Sequence, residues 1–441
     1  MTASSQVVNQ LPTDVQDRFE KPSIVDQLLI LVPSLIFAAL GAWLNYSGLV
    51  GGDEGWLGGK EGPLGGFNGV LGSLLFGGIG LLVGFFLSLI AISSFSRGKR
   101  QRYWRQTLIA YSYLSPSIII LLVFTFISMF YAFYVSLHEF GLGQLAGKKA
   151  PEFVGLGNYA QAIWEPGTRQ TEFWKSLITT LWLTLGSIPF QIGLALVIAV
   201  LLFRKMHGVG IYRTSFFLPY VTATIALAEV WVVLFSRGEV GLINNILEGL
   251  GFSRQGWLME ARGIFEIMAE AVGIQLVPPA WLPEWAHSLV LGPSQALVVI
   301  MMYSIWKYFG FSLVILLAGL GNIDPELYEA AQIDGSNAWQ SFRKITIPLL
   351  SPTLYYVALI STMGSLRSFD TIYQLSIRAS AGSGPGGPLD TTQSLVIYVF
   401  NQFWRDHFFG YGSALAMILF VVILVVTLIQ QRILGKRVFY G

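Results

Sequence analysis

The residues with the most chemical potential are few and widely spaced. Lys307 lies inside a long apolar run, in the stretch Tyr303-Ser304-Ile305-Trp306-Lys307-Tyr308. An ionisable group in such a run is costly to bury and marks a candidate site. Tyr303 and Lys307 are four apart and share a helix face, with Trp306 beside them. Aromatic faces stack on sugar rings, while amine, hydroxyl and indole N–H groups serve hydroxyls, so this trio suits a polyhydroxylated solute. A second role stays open, in which Lys307, Arg367, Asp370 and Glu229 neutralise one another inside a bundle or Lys307 snorkels to the membrane surface.

Other chemistry is absent. The four histidines, His138, His207, His287 and His407, have no ligand spacing, and there is no cysteine to form a disulfide or a thiolate site. The nearest approach to a phosphate-binding loop is Gly58-Gly59-Lys60. Glu61 replaces the required Ser or Thr there, and Glu54 the first glycine. No Gly-x-Ser-x-Gly elbow occurs. No cofactor is expected on this chain.

The elements that must position these residues are membrane helices. Hydrophobic residues make up 54% of the 441 positions and charged residues 12%, too few polar groups to cover a water-soluble protein of this size. Net charge is +2 without a long basic tract, which argues against nucleic acid. Eight segments approach the roughly 20 residues needed to cross the hydrocarbon core. They lie at 24–46, 69–95, 108–137, 177–203, 214–236, 289–317, 351–377 and 410–431. The fold class is therefore an all-α, polytopic helix bundle.

Lysine and arginine gather on the cytoplasmic side of membranes. Arg97, Lys99, Arg100, Arg102 and Arg105 follow the second span, and Arg204, Lys205 and Arg213 the fourth. The loop at 139–175 mixes Lys148 and Lys149 with Glu139, Glu152, Glu165 and Glu172, the loop at 237–287 has more acids than bases, and both face outward. Alternation then puts both termini inside, in agreement with Arg432, Lys436 and Arg437. The polar stretch 1–23 reads as a retained tail, 47–68 as a Gly-rich outer loop, Ile264 to Val277 as a short surface helix, and 380–388 as an outer break.

The loop 322–350 falls on the cytoplasmic side. Pro325 and Glu326 suit a helix start, a first helix runs to Ile333, and Asp334-Gly335 supplies a turn. A second helix, Asn337 to Thr346, is ended by Pro348. Ala330 and Ala331 keep the hairpin surface shallow, open to another protein's groove.

This hairpin resembles the signature loop of ATP-binding-cassette import permeases. That pattern is Glu-Ala-Ala, three residues, Gly, nine residues, Ile, one residue, then Leu-Pro. Glu329, Ala330, Ala331, Gly335, Ile345 and Pro348 fall at its spacing, with Asp334 before the glycine and Ile347 in place of leucine. Leu218-Pro219-Tyr220, Trp231, Gly241, Asn244, Gly386-Gly387-Pro388 and Gly410-Tyr411-Gly412-Ser413-Ala414 resemble the sugar branch of these permeases. The resemblance implies a tail at 1–23, two additional helices within 24–107, and a six-helix core over 108–441 of the maltose- or glycerol-phosphate-permease type. It implies a second homologous permease, an ATPase dimer, an extracytoplasmic solute-binding protein and a sugar-like solute. The setting would be a bacterial or archaeal cytoplasmic membrane. By the same resemblance Tyr303, Ser304, Trp306, Lys307 and Tyr308 on the sixth span and Ser365, Arg367 and Asp370 on the seventh become pathway candidates, with Arg367 and Asp370 three apart on one helix face. A secondary transporter or channel acting alone, and a membrane-embedded transferase, are the competing readings.

Overall fold

A computed structural model describes residues 24–46, 65–95, 99–145, 148–203, 207–379 and 384–435. The expected tail, most of the Gly-rich loop, Arg97, Arg204, Lys205, Lys436, Arg437 and residues 380–383 of the outer break lie outside these. The protein is helical almost throughout and packs as two compact units. One comprises residues 1–155 with 408–414, the other 156–407 with 415–441.

In the first unit α1 (Ile24–Tyr46) and α2 (Gly65–Phe95) form an antiparallel pair. Small residues set their approach. A Cβ on Gly80 would strike the carbonyl oxygen of Phe37, and one on Gly84 would meet Ser34 Cα at 2.8 Å. Close backbone contact of this kind drives helix association in lipid, where tails are as apolar as leucine and burial gains little. α3 (Lys99–Leu121) continues through a π-helical turn, Leu122–Ile127, into α4 (Ser128–Ser136). A two-residue ladder then pairs β1 (His138–Glu139) with β2 (Glu152–Phe153). Gly410 donates its N–H to the Phe140 carbonyl at 2.9 Å, and its missing side chain admits the carbonyl of His138.

The second unit is built around α5 (Thr168–Phe203) packed along α10 (Gln295–Gly321). Between them in sequence come α6 (Val209–Val221), α7 (Thr224–Leu234) and an excursion holding α8 (Leu242–Gly249) and α9 (Ile264–Ala271). The excursion is stapled by Asn244, which is fully buried. Its amide donates to the carbonyls of Ser236 and Gln255 and accepts from Gln255 N–H and Trp257 Nε1. After α10 come α11 (Pro325–Ile333), α12 (Ala338–Ser341), a second π turn at Phe342–Thr346, α13 (Ile347–Leu366), α14 (Asp370–Ala379), α15 (Leu395–Trp404) and α16 (Phe409–Leu434).

Among the described residues five helices are long and apolar enough to span: Trp104–Ser136, Thr168–Phe203, Gln295–Gly321, Ala338–Leu366 and Phe409–Leu434. With α1, α2 and the α6–α7 pair these coincide with the eight expected segments. Three boundaries differ. The fifth segment is no straight helix: α6 and α7 meet at 94°, because Pro219 weakens the last turn of α6 and Thr222 and Ala223 turn extended. The seventh ends at Leu366, and a short break precedes α14. The hairpin's second helix does not stop at Pro348. That proline lies just after the π turn, which joins α12 to the span and carries the helix through the point where the proline supplies no N–H.

Tight packing of α6 on α10 depends on Gly310, where a Cβ would collide with the Phe216 carbonyl and lie 3.1 Å from Phe217 Cα. Gly310→Ala is expected to cost about 1–3 kcal/mol by overpacking. Gly193→Ala, whose Cβ would meet nothing within 4 Å, gains helix propensity instead. Thermal midpoints in detergent by size-exclusion should fall for the first and hold or rise for the second; equal midpoints would contradict this account of the contact.

Candidate functional site

A cavity of about 220 Å³ opens midway along α10, among α5, α6, α10 and α13. Its polar wall is formed by Ser187, Gln191, Ser304, Ser361, Ser365 and Ser368, and its apolar wall by Leu183, Tyr220, Tyr308, Phe311 and Ile360, with Gly364 between. No lining residue carries a charge. Tyr220 stacks on Phe311 with ring centroids 4.9 Å apart and meets Tyr308 edge-on at 6.2 Å, so three aromatic rings form one wall.

The hydroxyls are there because serine can sit in an apolar helix by bonding its own preceding turn. Ser187 donates to the Leu183 carbonyl at 2.5 Å and Ser304 to the Ile300 carbonyl at 2.8 Å. Gln191 is nearly fully buried and ties three helices together. Its Nε2 lies 2.9 Å from Ser312 Oγ, 3.2 Å from Ser361 Oγ and 3.4 Å from the Tyr308 carbonyl. Ser365 Oγ and Thr184 Oγ1 add a second bond between α5 and α13 at 3.1 Å.

The expected pathway residues divide. Ser304, Tyr308 and Ser365 line the cavity. Tyr303 does not: it is wholly buried in the apolar core, edge-on to Trp231, with its hydroxyl donating to the Thr224 carbonyl at 3.3 Å. Trp306 is turned onto the outer side of α10 against Trp231. Arg367 and Asp370 share no helix face, since the break separates them; both are exposed, and Arg367 Nε donates back to the Met363 carbonyl. Lys307 is 4% exposed yet absent from the cavity wall. Its ammonium donates to Thr224 Oγ1 at 2.6 Å and the Thr222 carbonyl at 3.4 Å. Pairing with Glu229 is not observed, because Glu229 forms its ion pair with Arg378 across α7 and α14. Asp370 acts electrostatically on Lys307 without bonding to it.

Gln191, Ser187, Phe311 and Ser361 were missed, and Tyr220 was read only as part of a motif. A signal existed for two of them. A lone amide within the apolar run of α5 is a polar clasp by default, and Ser361, Gly364, Ser365 and Ser368 recur at helical spacing.

The hairpin matches its expected form closely. Asp324 caps α11 by accepting from Glu326 N–H at 3.0 Å, and Asn337 and Gln340 form a capping box on α12. Gly335 has φ +79°, the left-handed conformation that a Cβ resists. Tyr328 and Thr346 join the two limbs at 3.0 Å between hydroxyls. Glu329, Ala330, Asp334 and Gly335 are exposed; Ala331 and Pro348 are half-buried, and Ile345 packs against the core at the foot of α10 and α13. Ile333 and Trp339 project large apolar surfaces from the tip, 87% and 66% exposed.

A helix bundle with an uncharged cavity lined by serines and aromatic rings and a protruding helical hairpin has the form of a membrane transport protein. Its permease character follows from relatives. Over 337 residues the chain is 32% identical to the probable ABC transporter permease protein YesP of Bacillus subtilis, covering 76% of this chain and 93% of that protein. It is 30% identical to the arabinooligosaccharides transport system permease protein AraP of the same organism, over 77% of this chain and 92% of that one. The trehalose/maltose transport system permease protein MalF of Thermococcus litoralis is 29% identical, over 75% and 95%. A solved bacterial ABC transporter involved in the import of the acidic polysaccharide alginate shares the fold, with a TM-score of 0.57 at 20% identity, over 77% of this chain and 99% of that chain. No family model matches the chain. The chain belongs to the ABC transporter permeases, in their sugar-transport branch. It is the membrane-embedded transport subunit of an ATP-driven importer, not an enzyme, and the readings as a lone secondary transporter, channel or transferase fall away.

Gln191→Leu removes the donor shared by α5, α10 and α13. Hydrogen bonds between membrane helices are worth about 0.6–2 kcal/mol, so its thermal midpoint should drop further than that of Ser312→Ala, which loses one contact of the three. A midpoint equal to wild type for Gln191→Leu would show the clasp to be idle.

Proposed function

We propose that this permease forms one half of the translocation path for a sugar or related polyol, and that the cavity described above is its solute-contacting surface. The observation that carries the reading is the lining itself: serine hydroxyls, one amide and a wall of three aromatic rings, with no charge. Rings stack on the apolar faces of a pyranose while hydroxyls and amide exchange hydrogen bonds with its rim. Ser304, Tyr308 and Ser365 are the solute contacts retained from the sequence, joined by Gln191, Tyr220 and Ser361. The solutes named for two relatives, trehalose and maltose for one and arabinooligosaccharides for the other, have the same uncharged, polyhydroxylated character.

The second half of the path falls to a homologous permease, and delivery to an extracytoplasmic solute-binding protein. ATP and Mg are held by a separate ATPase dimer, and the hairpin carrying Glu329, Ala330, Ala331, Asp334, Gly335, Ile345 and Pro348 seats in a groove of one ATPase. Exposed Ile333 and Trp339 support this, since large apolar side chains at a water-facing tip call for a protein cover. The setting is a bacterial or archaeal cytoplasmic membrane with both termini inside, as the lysine and arginine pattern argues. Residues 1–23 then form a tail and 24–107 two accessory helices ahead of the transport core.

Reconstitution of the importer in liposomes tests both ends. Ser365→Trp, which fills the cavity, should abolish uptake and leave basal ATP hydrolysis near wild type. Gly335→Asp should abolish uptake and also remove stimulation of ATP hydrolysis by the loaded binding protein. Uptake at the wild-type rate by Ser365→Trp would refute the cavity, and normal stimulation of Gly335→Asp would refute the hairpin.

A further inference from the structure

The α6–α7 break leaves backbone groups without helical partners in the middle of a membrane protein. Thr222 and Ala223 are extended, and Ala223 offers the first turn of α7 no side-chain cap. Such backbone persists at membrane depth only where protein or water satisfies it. Two side chains of α10, one turn apart, reach it. Lys307 bridges the Thr222 carbonyl and the Thr224 hydroxyl, one from each side of the break, and the Tyr303 hydroxyl adds a bond to the Thr224 carbonyl in the first turn of α7. The Thr222 hydroxyl turns back onto the Leu218 carbonyl at 2.8 Å, so the ammonium takes the outward carbonyl that remains. The ammonium lies at the C-terminal, negative end of α6, where a cation is favoured, and also against the N-terminal, positive end of α7, where it is held by the Thr224 hydroxyl. No carboxylate bonds Lys307 among the described residues.

Further along the same face of α10, Gly310 lets the α6 backbone approach at Phe216, and Phe311 carries the stacked ring of Tyr220. Tyr220 stands two residues before Thr222. Its place on the cavity wall is therefore fixed from both directions, by the Phe311 ring and by the angle at which the chain leaves α6.

We propose that Lys307 is a positioning residue that pins the α6–α7 break and so holds Tyr220 on the cavity wall, without itself touching solute. The inference assigns a role to the buried cation and, for its consequence on uptake, rests on the reading of the cavity as the solute site.

The absence of cysteine makes the bend measurable. Ile211→Cys and Val233→Cys place the only two thiols on exposed positions of α6 and α7, and spin labels there report the angle in the assembled importer with no solute present. Wild type should give one narrow distance distribution. Lys307→Met should broaden or shift it by several Å, and raise the solute concentration for half-maximal uptake about tenfold. Tyr220→Ala should raise that concentration similarly, and the double variant should be no worse than Tyr220→Ala alone. Should Lys307→Met fail to assemble, Thr224→Val, which removes the hydroxyl partner, gives the same distance readout. An unchanged distribution in the variant that assembles overturns the proposal, as does an effect on half-saturation that adds to that of Tyr220→Ala. A changed distribution with unchanged uptake supports the pin and refutes the cavity as the solute site.

Discussion

A backbone that leaves its helix inside a bilayer must find hydrogen-bond partners within the protein, since lipid offers none. At the break the Thr222 carbonyl finds Lys307 of α10, and Tyr303 bonds the first carbonyl of α7 beside it. The arrangement fixes more than two bonds. It commits one face of α10, from Tyr303 through Lys307 and Gly310 to Phe311, to receiving the broken segment. The neighbouring face, with Ser304 and Tyr308, is left free to line the cavity. A buried ammonium is costly unless well bonded, and here its bonds are to dipoles at a helix end rather than to a carboxylate.

The remaining helices are joined by two devices suited to an apolar solvent. Where backbones must touch, glycine allows it, at Gly310 against α6 and at Gly80 and Gly84 between α1 and α2. Where a gap is kept, polar side chains bridge it, as Gln191 does with Ser312 and Ser361 and as Gln430 does with Thr362 at 2.6 Å. Small polar residues on α13 leave room that leucine would fill. The cavity is a product of that choice, since Ser361, Gly364, Ser365 and Ser368 face α5 and α10 where the rest of the bundle presents bulky aliphatic residues.

Hydropathy located the apolar segments, and local signals located the hairpin: Pro325 opens its first helix and Gly335 makes its turn, as their residue types foretell. What escaped was geometry inside apolar sequence. Leu218-Pro219-Tyr220-Val221-Thr222-Ala223-Thr224 stays hydrophobic on average whether straight or bent by 94°, so a window average cannot see the break. With the break unseen, Lys307 had no visible partner and was read toward solute or a carboxylate. Arg367 and Asp370 failed for the same reason, because helical spacing has meaning only while the helix is continuous. Ser304, Tyr308 and Ser365 lie on unbroken stretches of α10 and α13, where periodicity holds.

Continuity is also what links the hairpin to the cavity. From Ala338 to Leu366 the chain forms one helix of 29 residues, interrupted only by the π turn. At about 1.5 Å per residue it is roughly 40 Å long, enough to carry exposed Arg343 and Lys344 at its base while its far end lines the cavity through Ser361 and Ser365. The Tyr328–Thr346 bond ties α11 to the turn, so both limbs of the hairpin are fastened to the base of this helix. A π turn is the one place along it where the backbone hydrogen-bond register already departs from α. A displacement of the hairpin therefore has two outlets, rotation of α13 as a whole or flexing at Phe342–Thr346. Packing of Leu350 and Val357 in the core opposes the first.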